Sequence, residues 1–279
     1  MDNSHIVEYL KWYLSASCQN PKFAVLLKGG WGSGKTYFVE KFMHDQNEIG
    51  EQLTGKKSNQ FLYISLYGLS SGSDIDDQIF QQLHPILASK GVAVAGKIAK
   101  GLINLGLKIN LDSDGALQAT ADSKIPEVPL KPFISDFKKR VLIFDDLERC
   151  NMPIELVLGY INSFVEHQGS KVIIVANDDE IEAGLIDNEQ KEDSKYHRIK
   201  EKVIGKSFVV ESDSVLVMQS LIEECTEQAK KFMQELKNLC LEVFYIVEKS
   251  TGKRNYRAFG HVLRDLEYLW PRIIEHKQA

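Results

Sequence analysis

The sequence predicts an α/β protein, with a three-layer core on a parallel sheet followed by a C-terminal helical subdomain. Three observations lead there. Short, largely apolar runs at 23–27, 61–66 and 141–144 and within 171–176 read as buried strands. Amphipathic helical patterns separate them, the alternation expected when helical crossovers join parallel strands. From Asp213 onward the pattern is helical only.

Each element has its own local signal. Ile6, Tyr9, Leu10, Tyr13 and Leu14 recur at helical spacing, so the chain opens on an amphipathic helix that Pro21 closes. Phe23 to Leu27 is the first strand, Gly29 to Gly34 a glycine-rich loop, and Lys35 to Met43 a helix. Phe61 to Leu66 is the second strand. Asp74 to Ala88 is a helix with Ile75, Ile79, Leu83 and Leu87 on one face and Ser73 as its cap. Residues 91–131 change composition. A Gly/Ala/Ile/Leu segment broken by Lys97, Lys100 and Lys108 is followed by a polar run with Asp112, Asp114 and Asp122 and by Pro126, Pro129 and Pro132. That stretch reads as an insertion, an amphipathic hairpin or helix and then a flexible linker.

Order returns at Arg140. Val141 to Phe144 is a strand running into Asp145-Asp146, and Pro153 to Glu166 is a helix with proline near its first turn. Lys171 to Ala176 holds another strand, Asp179 to Leu185 starts a short helix, Asp187 to Lys195 is a charged surface loop, and Ser207 to Val210 is a last strand. Helices are expected near 213–227, 228–248 and 253–270, with Pro271 after the last. The division is an N-terminal helix over 1–20, a core over 21–210 that contains the 91–131 insertion and linker, and a helical subdomain over 211–279.

Composition narrows the function classes. Hydrophobic residues make 43% and charged residues 26%, so the chain can bury a core and is not disordered in bulk. Lys+Arg of 34 against Asp+Glu of 39 gives a net charge of −5, unlike a dedicated duplex-DNA coat. Lys138-Lys139-Arg140 and Lys97/Lys100/Lys108 leave a local nucleic-acid patch open without favouring one. Cys18, Cys150, Cys225 and Cys240 have no CxxC spacing and no paired histidines, so reduced, packed thiols in a cytoplasmic protein are expected. Met1 to Leu14 lacks a basic start and a long apolar run, so no signal peptide is expected. No stretch of about 20 residues is apolar and uncharged, so no integral membrane span is expected.

Gly29-Gly30-Trp31-Gly32-Ser33-Gly34-Lys35-Thr36 fits G-x-x-x-x-G-K-[ST], with an apolar strand before it and a helix after. Glycines let successive N–H groups turn inward toward phosphate oxygens, and the following helix adds its positive N-terminal end. Lys35 is the residue for the β- and γ-phosphates and Thr36 for Mg²⁺. Gly30, Trp31, Gly32, Ser33, Gly34 and the adjoining Tyr37 complete the expected nucleotide-binding set. Such a loop needs a carboxylate at a neighbouring strand end. Asp145 is that magnesium-side ligand, Asp146 the first choice to orient the attacking water, and Glu148 the second. Adjacent strand residues point to opposite faces, so only a bend after Asp145 brings both acids to the site. Asn177 ends the strand 172–176, where it either contacts the γ-phosphate or water, or caps the next helix.

Together these segments resemble the KAP family of P-loop NTPases, relatives of the AAA+ and STAND groups. The resemblance rests on Gly30 to Thr36, on Phe144-Asp145-Asp146-Leu147-Glu148-Arg149-Cys150, and on Glu201 to Lys206. Glu148 stands where the family pattern has Asp. The resemblance implies a P-loop NTPase core, ATP and Mg²⁺ as cofactors, and a helical lid that offers an arginine over the nucleotide. Arg257 is the first choice for it and Arg254 the second, because Arg254-Asn255-Tyr256-Arg257 looks like the family's sensor segment. Arg198 and Lys202 are candidates to act on a neighbouring subunit. Many members carry transmembrane helices between the two motifs. Here the interval from Thr36 to Asp145 is long, but its lysines make 91–111 a poor span.

The implied function is Mg²⁺-dependent ATP hydrolysis that drives a conformational or assembly cycle, in a homo-oligomer or with a separate effector protein. Bacterial members resemble components of anti-phage defence systems. A non-hydrolysing nucleotide-gated scaffold and a small-molecule kinase are the alternatives. The absence of an Asn-Lys-x-Asp guanine-reading motif favours ATP over GTP.

Overall fold

A parallel sheet whose inner strands are apolar and buried holds the core together. The computed structural model describes residues 3–55, 60–83, 109–111, 117–119, 140–184, 195–211, 214–227 and 256–278, with isolated positions between 230 and 250. Helix α1 spans Ser4–Leu14, strand β1 Ala24–Lys28, α2 Lys35–Thr54, β2 Phe61–Ser65 and α3 Gly72–Leu83. Two short strands follow, β3 (Ile109–Leu111) and β4 (Leu117–Ala119). Then come β5 (Val141–Asp145), α4 (Ile154–Asn162), β6 (Val172–Ala176), α5 (Asp178–Gly184), α6 (Lys195–Val203) and β7 (Ile204–Val209). Helices α7 (Ser214–Glu223) and α8 (Tyr256–Gln278) are also described.

The main sheet has the order β2-β5-β6-β1-β7, and every pairing in it is parallel. Alternate residues of each strand face two different apolar clusters, because side chains on a strand alternate between faces. Leu26, Leu62, Ile64, Leu142, Phe144 and Ile174 face the cluster completed by α3, α4 and α6. Val25, Leu27, Phe61, Ile143, Ile173 and Val175 face the cluster completed by α1 and α2. This is the three-layer arrangement the apolar runs predict. Each such side chain contributes roughly 1.5–3 kcal/mol by leaving water. Helix α1 is fastened through Tyr13, whose hydroxyl donates to the Phe23 carbonyl (2.8 Å) and accepts from the Val172 N–H (3.0 Å).

Several boundaries move. Helix α3 begins at Gly72, and its cap is Ser71 instead of Ser73. The Ser71 hydroxyl accepts from the Asp74 N–H (3.3 Å), and the Asp74 carboxylate accepts from the Ser71 N–H (2.9 Å), a reciprocal capping box. Leu87 and the expected end of that helix lie outside the described residues. The helix from Pro153 ends its regular part at Asn162 and continues as a π-turn over Ser163–His167. Helix α6 occupies the segment after the charged loop, where no helix was expected; residues 187–194 of that loop lie outside the description. Helix α8 runs through Pro271, since a proline removes only one bond of the helical ladder. Of the 91–131 insertion, only the antiparallel ribbon β3–β4 is described. Helices α7 and α8 pack through Met218, Ile222, Tyr256 and Leu263, joined by Phe244, which stacks on Tyr256. No helix among the described residues is long and apolar enough to cross a membrane.

One buried acid makes stability depend on pH. Asp76 of α3 is buried and accepts the Tyr160 hydroxyl of α4. Burial, opposed by that hydrogen bond, pushes its carboxyl up to about 7 from an ordinary 3.8. The folded state therefore holds this proton more tightly than the unfolded chain. The contribution is fully present below about pH 4, declines as pH rises through 7, and is gone above that. Asp76→Asn keeps an acceptor for Tyr160 without the charge. It is expected to be more stable than the wild type by up to about 4 kcal/mol at pH 8 and equal to it at pH 4, as read from urea midpoints.

Candidate active site

The carboxyl ends of β1, β5 and β6 form the site. After β1 the chain crosses to the far edge at β2, returns through β5 and β6, and then passes β1 to reach β7. In open parallel sheets such a reversal leaves a crevice at the strand ends, where ligands bind.

The glycine loop leaves β1 there. Gly29 donates its N–H to the Ala176 carbonyl (3.3 Å), which ties the loop to β6. Gly32 (φ 70°) and Gly34 (φ 88°) adopt the left-handed conformation that glycine takes without penalty. A Cβ on Gly29 would stand 2.8 Å from Ser33 Oγ, and that hydroxyl is buried with no hydrogen-bond partner. An orphaned buried hydroxyl inside a curled loop is a group awaiting an oxygen-rich ligand, so the loop fits a phosphate. Lys35 opens α2 and is buried. Its ammonium donates to the carbonyls of Gly29 (2.7 Å) and Gly30 (2.9 Å), across the base of the loop. Burial lowers its pKa, opposed by the nearby Glu148, Asp145 and Asp146.

Thr36 donates its hydroxyl to Asp145 Oδ2 (2.9 Å), so loop and acidic strand end are in direct contact. Tyr63 of β2 donates to the same oxygen, and Asp145 Oδ1 accepts the Asp146 N–H (2.7 Å). A buried carboxylate beside a threonine hydroxyl is a hard-oxygen pair suited to Mg²⁺. Asp146 supplies the bend that strand alternation requires: its backbone is left-handed (φ 58°, ψ 39°). The turn brings its carboxylate back to the face of Ser65, whose hydroxyl donates to Oδ2 (3.4 Å), and to 3.6 Å from Arg149 Nε. Burial first, then the Asp145 charge, raises the Asp146 pKa, opposed by Arg149.

Beyond these, Glu148 accepts the Trp31 indole N–H (3.2 Å) and the Asn177 backbone N–H (3.0 Å). Asn177 therefore lies just past the end of β6, the strand between β1 and β5, and is joined to the loop tip through Glu148. Arg257 is exposed on the first turn of α8, and the preceding residue, Tyr256, donates its N–H to the Gly32 carbonyl (3.1 Å). Arg254 lies outside the described residues. Arg198 is exposed on α6, and Lys202 sits 3.6 Å from Glu166. Tyr37 donates its hydroxyl to Ser220 of α7 (3.3 Å). A cleft of about 1060 Å³ opens beside the loop, between Asn3, Gly34, Tyr37, Phe38, Glu211 and Val217.

Sequence reasoning missed Tyr63, Ser65 and Arg149. The first two carried no signal of their own, because they reach the site through the pairing of β2 with β5, where Ser65 lies in register with Asp145. Arg149 carried none either, since its place over the Trp31 ring (5.5 Å) and the Tyr67 ring (5.6 Å) depends on the turn after β5. Against known families, the model described as KAP family P-loop domain matches residues 3–271. No curated protein matches the chain.

Proposed function

This chain belongs to the KAP family of P-loop domains, and on that premise we propose that it binds ATP with Mg²⁺ and hydrolyses it. The observation that carries the reading is the contact of Thr36 with Asp145, which joins a complete phosphate loop to an acidic strand end. Thr36 and Asp145 would hold the magnesium ion, which supplies positive charge against the β- and γ-phosphates. Lys35, already inside the loop, exchanges its carbonyl partners for phosphate oxygens. The backbone N–H groups of Gly30 to Thr36 and the N-terminal end of α2 stabilise the same anion. Asp146 is the group for the attacking water. It lies on the face of Asp145 and Ser65, and its raised pKa suits proton acceptance. Asn177 and Arg257 sense the γ-phosphate from two sides, at the end of β6 and at the start of α8.

The proposed seat of the base and ribose is the end of the cleft at Gly34 and Tyr37, next to the phosphate loop. Helices α7 and α8 belong to the lid proposed for 211–279, since Tyr256 touches the loop at Gly32 and Ser220 touches Tyr37 on the first turn of α2. The proposed outlet is an assembly cycle in a homo-oligomer or with a separate effector, serving anti-phage defence; this rests on the family resemblance.

The deciding measurement is phosphate release from Mg-ATP across a range of protein concentrations, with ATP binding followed by calorimetry. Turnover whose specific activity rises with concentration is the expected result and supports a site completed between subunits. Binding without turnover at any concentration would instead make the chain a nucleotide-gated switch. No binding would reject the proposal.

A further inference from the structure

We propose that Glu148 is a positioning residue that clasps the tip of the phosphate loop to the end of β6, with Trp31 as its handle. The inference rests on the nucleotide-binding reading of the site. Glu148 sits in the 3₁₀ turn Leu147–Arg149 directly after β5. That turn is itself fixed. The Arg149 carbonyl accepts the Gly68 N–H (3.0 Å), the Asn151 N–H reaches the Leu69 carbonyl (2.9 Å), and Leu147 is buried in the core.

From this anchor the Glu148 carboxylate reaches two segments that the Gly29–Ala176 hydrogen bond joins at the base of the loop, and it joins them again at the tip. One oxygen takes the indole N–H of Trp31 at the loop tip (3.2 Å), and the other takes the backbone N–H of Asn177 where β6 ends (3.0 Å). The neighbouring Arg149 lies over the Trp31 ring, so the indole is held by its edge and by its face. Trp31 is flanked by glycines and is 48% exposed. A large apolar ring in that setting would stay in water without a specific partner, and the turn after β5 is that partner.

Two consequences follow. The carboxylate oxygens are engaged by N–H donors from two sides, which leaves Asp146 as the acid facing Asp145 and Ser65. The entropy of ordering a glycine loop is also met before phosphate arrives, which strengthens binding by preorganisation. Because the clasp ends on Asn177, it fixes the spacing between the loop tip and the strand end that faces the γ-phosphate.

The test uses the full chain with Trp31→Phe, Glu148→Gln and the double variant. Phenylalanine keeps a ring for Arg149 but has no N–H. Glutamine keeps one acceptor and turns the other into a donor. The dissociation constant for Mg²⁺ with a non-hydrolysable ATP analogue should rise about 5–10-fold in each single variant. In the double variant it should rise no further than in the weaker-binding single, since either change opens the same two-ended clasp. Hydrogen exchange at 29–34 in the ligand-free protein should speed up by a similar factor, with β5 and β6 unchanged.

Wild-type affinity in both single variants would overturn the proposal, and so would losses that multiply in the double variant. A hundredfold fall in turnover in Glu148→Gln at unchanged affinity would assign Glu148 to the water instead. If the wild type binds no nucleotide, the nucleotide reading fails first, and the exchange rates alone decide whether the clasp exists.

Discussion

Replacing Lys35 with alanine is expected to weaken ATP binding about a hundredfold and to lower turnover at least a thousandfold. The ammonium is buried at the base of the loop and held by two loop carbonyls, so it is already aimed where phosphate oxygens collect. It is also a cation close to Asp145, Asp146 and Glu148. Without it, a polyphosphate would approach three carboxylates with no cation at the base of the loop, and its own Mg²⁺, the loop N–H groups and more distant arginines would have to offset the repulsion. Charge-assisted hydrogen bonds contribute about 1.5–3 kcal/mol each, and the loss is greater in the transition state, where charge builds on the transferred group. The melting temperature should move little, because losing two hydrogen bonds is offset by no longer burying a charge. Calorimetry, phosphate release and a thermal melt measure the three effects. Turnover within tenfold of wild type would contradict the proposed site.

The second large effect is expected at Asp146. Asp146→Asn should lower turnover by about 10²–10⁴ and leave nucleotide affinity within about threefold. Asparagine is the appropriate replacement because it tolerates the left-handed backbone this position adopts, so the bend after β5 survives. What disappears is a carboxylate able to take a proton from water. Asp146→Ala should lose turnover equally and some stability as well, since alanine is strained at this φ. Single-turnover phosphate release with pre-bound ATP separates the chemical step from binding. Retained turnover in Asp146→Asn would move the water-orienting role away from this residue.

Sequence and structure agree where the signal is local. The phosphate loop was legible because its chemistry lies in eight consecutive residues between a strand and a helix. The buried strands were legible because a sheet covered on both faces needs unbroken apolar runs, as in Val141 to Phe144. Helix α6 was not, because its charged residues mask a sparse apolar face. Only Tyr196, Ile199 and Val203 pack against the core. The expected Ser73 cap was wrong because Ser71 and Asp74 satisfy each other's N–H groups first. The left-handed turn at Asp146 was only a condition the chemistry imposed, since nothing in Asp145-Asp146 itself dictates it. The contacts of Tyr63, Arg149 and Glu148 depend on which strands lie side by side, and no single segment specifies that.

The strand order also bears on how the protein is made. β1 carries the phosphate loop, yet both of its neighbours come late in the chain: Val25 pairs with Ile173, and Leu26 with Ser207. On a ribosome the N-terminal third emerges with its central strand unpartnered on both edges. That strand waits until residues near 209 are clear of the exit tunnel. Non-local parallel pairing folds slowly and exposes apolar edges in the interval. Newly synthesised chains are therefore expected to depend on chaperones during that window, and truncations ending before β7 should aggregate, not fold. The arrangement that sets the phosphate-loop strand between two late-arriving neighbours also makes it one of the last parts of the protein to become functional.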